Sequence, residues 1–423
     1  MQTVKQDYFN RKRRPSFLAR MLILAVIMVG TTWGVSPALA TGAGANWVGS
    51  WATALTAADP GNWGNSLSGF ENQSIRMIVQ PSIGGYRMRV RLSNVFGEQP
   101  LVIGRATIGR PAESSSPDLI PHSVRKLTFN GSPSVTIPTG EEILSDPLNM
   151  FVLPLSQLAV TLYLPHATGP TSWHLISKQT TFIYDGDHAA ETDGDGYTST
   201  FTHFYFLAGI EVDNPVANGS VAVYGASISD GFGGTDNANT RWPDYLARRL
   251  LFTPPFFHDP GVINLSISGN PVNQGAGIPH FGINGLDRLA VDVYNRPDIK
   301  TVIIDLGLND IFQVGDPPEL IIDGLRKIVA DLQQHGIRAV LCTLSPAAGA
   351  PNWSPESEVT RQAVNEFIRT SHEADGVFDL DLVLRDPANP NHLNPDYFSF
   401  DEVHPNDLGN EAIANAFPLE LLY

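Results

Sequence analysis

Ser227, Gly269, Asn309, Asp401 and His404 follow one another down the second half of the chain, each in a short segment suited to one part of an acyl-transfer site. A nucleophile needs a base, the base needs an acid to orient it, and the oxyanion that develops on an attacked carbonyl needs donors. Ser227 lies in Gly225-Ala226-Ser227-Ile228-Ser229, directly after an apolar run. A tight turn there exposes the hydroxyl at a sheet edge and leaves the serine N–H free to donate. Asp401 and His404 share the segment Asp401-Glu402-Val403-His404-Pro405, ahead of a short amphipathic pattern. Pro405 suits the first turn of a helix, where its missing N–H has no partner to lose, and one turn can bring Asp401 back to the imidazole. Asn309 brings a side-chain amide to the end of the most apolar strand, and Gly269 lets a backbone N–H approach a substrate oxygen without an intervening side chain. Taken singly, each segment has an ordinary reading: a strand-to-helix turn, a capping Asp with a surface His, a strand-end Asn, a loop Gly. Taken together they spell a serine ester hydrolase.

The elements that must position these residues change character along the chain. From Trp47 to about Asp213, short alternating runs are broken by Gly, Pro and Asn. In Tyr86-Arg87-Met88-Arg89-Val90-Arg91-Leu92 the period of two sends arginines to one face and apolar groups to the other. Residues 45–215 are therefore expected to form an all-β, sandwich-like domain. Past Asn214-Pro215, continuous apolar runs at Val221–Tyr224, Val262–Leu265, Val302–Leu306, Ala339–Cys342 and Val377–Leu380 have the texture of parallel strands buried on both faces. Helical patterns at about 241–251, 284–293, 318–334, 357–371 and 406–417 alternate with them, so residues 217–423 predict a three-layer α/β/α domain with right-handed crossovers. Such sheets bind ligands beyond the carboxyl ends of their strands, where Ser227, Gly269 and Asn309 all fall.

These segments, in this order, resemble the blocks of the SGNH (GDSL-type) hydrolases over about residues 217–423. The resemblance implies a flavodoxin-like α/β fold with Ser227 as nucleophile, His404 as general base and Asp401 as its partner. It also implies an oxyanion hole made by the Ser227 N–H, Gly269 and Asn309, and no metal or organic cofactor. The β-rich stretch, with Gly49-Ser50-Trp51-Ala52 and Arg91-Leu92-Ser93-Asn94-Val95-Phe96-Gly97, is similar to the region that precedes the hydrolase domain in an exported bacterial subgroup. One position departs. The family has Gly-Asp-Ser at the nucleophile, whereas this chain has Gly225-Ala226-Ser227, which leaves Ser229 or Asp230 to take over the lost carboxylate's anchoring of the turn. The alternatives are a weakened or inactive carbohydrate-binding surface protein on the same fold, and an acyltransferase.

Composition sets the surroundings. With 42% hydrophobic and 17% charged residues over 423 positions the chain is globular and long enough for two cores. Residues 1–40 hold six Lys/Arg and one acid, so their removal takes the formal charge from −16 to −21, a poor surface for nucleic acid. Arg11-Lys12-Arg13-Arg14, the apolar run Met21–Val29 and Ala38-Leu39-Ala40 make those 40 residues a cleaved export signal, since the run is shorter than the ~20 residues that span a bilayer. The protein is then expected in the periplasm or outside the cell. The lone cysteine, Cys342, sits in an apolar run and reads as core. Gly231-Phe232-Gly233-Gly234 lacks the register of a phosphate loop. The expected substrate is a short-chain acyl ester, on a small molecule or an O-acylated polysaccharide, because no long amphipathic lid is evident. Trp63, Trp173 and Trp353 could stack on sugar rings or equally serve a core. Oligomeric state is not legible.

Overall fold

A computed structural model describes residues 44–254, 259–274 and 277–423. The expected export signal lies outside the described residues, and from Ala45 onward the chain is one compact unit. The β-rich half builds two principal antiparallel sheets. One has four strands, with Trp47–Ala52 and Arg87–Ser93 on either side of Leu207–Asp213; the other has six, centred on Gln73–Val79 and Leu158–Leu164. Alternation in Arg87–Ser93 works as the sequence predicts. Met88, Val90 and Leu92 are buried against Ile75, Met77, Val160 and Leu162 of the other sheet. Arg89 and Arg91 point the other way and pair with Glu211 on the neighbouring strand. A sandwich-like core results.

The second half is a five-stranded parallel sheet with strands β1 (Ser220–Gly225), β2 (Gly261–Asn264), β3 (Ile299–Asp305), β4 (Arg338–Cys342) and β5 (Gly376–Phe378), in the spatial order β2-β1-β3-β4-β5. The helices are α1 (Ser227–Asp230), α2 (Trp242–Leu251), α3 (Leu289–Asp292), α4 (Pro318–Gln334), α5 (Pro355–Thr370), α6 (Leu380–Leu384) and α7 (Asp407–Ala416). Ala222, Val302 and Ile304 face α4 and α5, whereas Val221, Val223 and Ile303 face α2 and α7, giving three layers. Strand order reverses at β1, so the crevice of such a sheet opens at the end of β1, where Ser227 begins α1.

Two expected helices differ. The 284–293 pattern yields a single turn, α3, preceded by a turn in which the Gly285 and Leu286 N–H groups donate to the Pro271 and Val272 carbonyls. The last helix begins at Asp407, capped by the Asn406 side chain, and Pro405 lies ahead of it in a bridge to Phe398.

The halves meet along β1 and β2. Gly49 N–H donates to Ser220 Oγ at 2.8 Å, and Val262 N–H to Ser82 Oγ at 2.9 Å. At Gly261 the approach is closest, since a Cβ there would stand 2.0 Å from the Gly49 carbonyl oxygen. Cys342 is buried, as its apolar run predicts. Among the described residues, no helix is long and apolar enough to cross a membrane.

Candidate active site

The backbone changes direction at Ala226 (φ −118°, ψ −148°) and enters the single turn α1, which ends at Gly231 in the left-handed region (φ 85°). Ala226 cannot anchor this turn, but the next residues do. Ser229 Oγ donates to Asp305 Oδ2 at 2.6 Å and accepts from Trp242 Nε1 at 2.9 Å. Asp230, almost wholly buried, accepts from the Ser268 N–H at 2.9 Å and Oγ at 2.7 Å. Its other oxygen meets His174 Nε2, a residue of the β-rich half, at 3.0 Å. Both neighbours named from the sequence therefore hold the turn, and one of them reaches into the other half of the molecule.

Ser227 Oγ lies 2.8 Å from His404 Nε2, and His404 Nδ1 lies 2.5 Å from Asp401 Oδ2. With Nδ1–H donating to the carboxylate, Nε2 is left as acceptor for the serine proton. Asp401 Oδ1 takes the His404 and Val403 N–H groups at 2.9 and 3.1 Å. Burial works against this carboxylate, yet the hydrogen bonds from the His404 ring and backbone outweigh it and hold the Asp401 pKa below its ordinary value. Glu402, inside this turn, has φ 54°, a strained conformation for a non-glycine residue and worth about 1 kcal/mol or more. The Asp401–His404 turn is thus held by side chain to backbone bonds rather than by a helix.

Gly269 has φ 82°, and a Cβ on it would come within 2.3 Å of the Phe281 ring. Asn309 donates from Nδ2 to the Asn270 carbonyl at 3.1 Å and accepts from Gln313 Nε2 at 2.7 Å, which leaves one amide proton uncommitted. Next to it, Asp310 gathers the Val272 and Asn273 N–H groups, tying the Gly269 loop to the end of β3; burial pushes its pKa up to about 6. Ser227, Gly269, Asn309, Asp401 and His404 all line one cavity of about 370 Å³. The structure brings together every residue chosen from the sequence.

Sequence reasoning passed over the aromatic rim and the floor. Phe232 has its ring centre 4.7 Å from that of His404 and 5.8 Å from that of Phe400, both phenylalanines being exposed. Asp305 lines the cavity from the end of β3. An acid closing the apolar run Thr301-Val302-Ile303-Ile304-Asp305 was the signal available for it. Of the tryptophans, Trp173 is buried, its Nε1 donating to the Ala57 carbonyl at 2.8 Å. Trp63 is 54% exposed and stacks on His280 at 5.1 Å. Among the described residues, no group of three or more His, Cys, Asp or Glu could hold a metal ion.

Residues 223–412 match the GDSL-like Lipase/Acylhydrolase family. Among curated proteins, none matches the chain. Solved structures similar to this one include the inhibitor-bound aryl esterase of M. smegmatis, 18% identical with a TM-score of 0.38, covering 48% of this chain and 99% of that one. Est24, a carbohydrate acetylesterase from Sinorhizobium meliloti, is 17% identical with a TM-score of 0.36, covering 47% of this chain and 95% of that one. The psychrotrophic esterase EstA from Pseudoalteromonas sp. is 21% identical with a TM-score of 0.36, covering 47% and 93%.

Proposed function

We propose that this protein, whose residues 223–412 match the GDSL-like Lipase/Acylhydrolase family, is an exported serine hydrolase of short-chain acyl esters, O-acetyl groups on carbohydrate among them. Ser227 Oγ attacks the ester carbonyl while His404 Nε2 takes its proton, and Asp401 stabilises the imidazolium that forms. The Ser227 and Gly269 N–H groups and the free amide proton of Asn309 receive the oxyanion. Collapse of the tetrahedral intermediate expels the alcohol, which leaves with the proton held by His404. Water, deprotonated by His404, then attacks the acyl-Ser227 ester and releases the acid.

The observation that carries this reading is the unbroken chain of contacts from Asp401 through His404 to Ser227, at 2.5 and 2.8 Å. Two further features support it: the anchoring of α1 by Ser229 and Asp230, which answers the missing carboxylate at Ala226, and a cavity that holds all five residues. Ser227→Ala should abolish hydrolysis of p-nitrophenyl acetate above background. A folded Ser227→Ala variant with wild-type turnover refutes the proposal. Export predicts a mature chain that begins near Thr41, read by N-terminal sequencing of the secreted or periplasmic protein.

A further inference from the structure

On the His404 side of the cavity, Phe232 and Phe400 hold apolar surface in water, at 39% and 59% exposure. Phe232 lines the cavity itself, its ring centre 4.7 Å from that of His404. The Phe400 ring lies 6.3 Å from the imidazole and 17° from parallel with it, and meets the Phe232 ring at 5.8 Å and 61°. Backbone contacts fix both. The Phe232 N–H donates to the Ser227 carbonyl at 3.1 Å, and a Cβ on Gly233 would come within 2.8 Å of the His404 carbonyl oxygen, so this segment is held between nucleophile and base. Phe400 directly precedes Asp401 and follows the bridge between Phe398 and Pro405. Paired aromatic rings kept exposed beside a reactive group mark a surface that a ligand covers.

The chemistry decides which part of the substrate reaches them. To leave with the proton held by His404, the alcohol oxygen must come within hydrogen-bond distance of Nε2, whereas the carbonyl oxygen is drawn toward Gly269 and Asn309. The first carbons of the alcohol then stand beside the imidazole, within reach of the Phe232 ring. Leu308, Phe312 and Leu344, on the segments that follow β3 and β4, are left to the acyl group.

We propose that Phe232 and Phe400 form the alcohol subsite and select esters whose alcohol carries a ring, packed into the corner between the two aromatic faces. A ring is chosen over a linear alkyl chain because it lies flat on one face and edge-on to the other with few rotamers to give up. The corner offers hydrocarbon faces, so it recognises the apolar face that an aryl ring and a pyranose share. The subsite rests on the esterase reading above and refines it on the alcohol side.

Three acetates test it: ethyl acetate, 2-phenylethyl acetate and methyl 6-O-acetyl-glucopyranoside. All form the same acetyl-Ser227, and kcat/KM reports the steps up to its formation, so their ratios isolate the alcohol. Wild-type kcat/KM should favour at least one ring-bearing acetate over ethyl acetate by roughly tenfold or more, and the favoured one identifies the source of the ring. Phe400→Ala and Phe232→Ala should each bring that ratio toward one. Ethyl 3-phenylpropanoate against ethyl acetate puts a ring on the acyl side, and this second ratio should change by less than about twofold in either variant. A general loss of positioning at His404 cancels in both ratios. No preference for either ring-bearing acetate, a preference that survives both variants, or a loss confined to the acyl pair overturns the subsite and leaves the hydrolase reading intact. Failure of the wild type to cleave any ester overturns both.

Discussion

The carboxylates around the cavity sit in unlike surroundings, and their titration separates them. Asp401 is held low by the donors of His404, whereas desolvation raises Asp305 and Asp310 to about 6. For Asp305 the sign follows directly. Its folded pKa lies above the unfolded carboxylate value of about 3.9, so the folded state binds the proton more tightly and loses stability as pH rises from about 4 to about 6. Asp305→Asn removes that ionisation. The variant should therefore be more stable than the wild type at pH 8, by up to about 3 kcal/mol, with the gain gone below about pH 4. Urea titrations at pH 8, 6 and 4 measure this, and a difference independent of pH contradicts it. Asn309 has one amide proton to spare, so Asn309→Ala should lower kcat on p-nitrophenyl acetate by roughly 10²- to 10³-fold without unfolding the protein. Circular dichroism and steady-state kinetics check both halves of that statement.

At the scale of elements, Gly269 joins the loop after β2 to the cavity by a conformation (φ 82°) and a clearance that no side chain shares. Gly269→Ala must shift either the Phe281 ring or the loop, so turnover should fall by about tenfold or more and the melting temperature by several degrees. Unchanged kinetics would show that the loop does not position the oxyanion donor. The parallel strands were legible because strands buried on both faces are written as uninterrupted apolar runs, as at Val302–Leu306 and Ala339–Cys342. The candidate site residues were legible because each stands in a loop or turn beside a strand or helix, with a distinctive neighbour. What could not be read were elements decided by distant partners. The 284–293 pattern has helical spacing, yet its first half packs as a turn bonded to Pro271 and Val272, and Pro405 is drawn into a bridge with Phe398 before α7 starts. Asp305 with Ser229, and Asp230 with His174, are side-chain meetings across elements that periodicity does not encode.

For the molecule as a whole, the β-rich half braces the turn that carries Ser227 without lining the cavity. His174 supports Asp230 from that half, Arg241 at the start of α2 donates to the Ser177 carbonyl, and Gly49 and Gly261 bring the two backbones into contact. Gly261→Ala should force the halves apart and lower the melting temperature while turnover falls with it, and calorimetry should show one unfolding transition for the wild type. Two well-separated wild-type transitions, with turnover surviving the first, would mean that the halves are energetically independent. The central claim, that Asp401, His404 and Ser227 act as a single nucleophilic unit, is tested most directly by treating the native protein with a fluorophosphonate and locating the adduct by mass spectrometry. The account predicts one adduct on Ser227, absent in Ser227→Ala and formed far more slowly in folded His404→Ala. An unlabelled Ser227 in protein that still cleaves esters would contradict it.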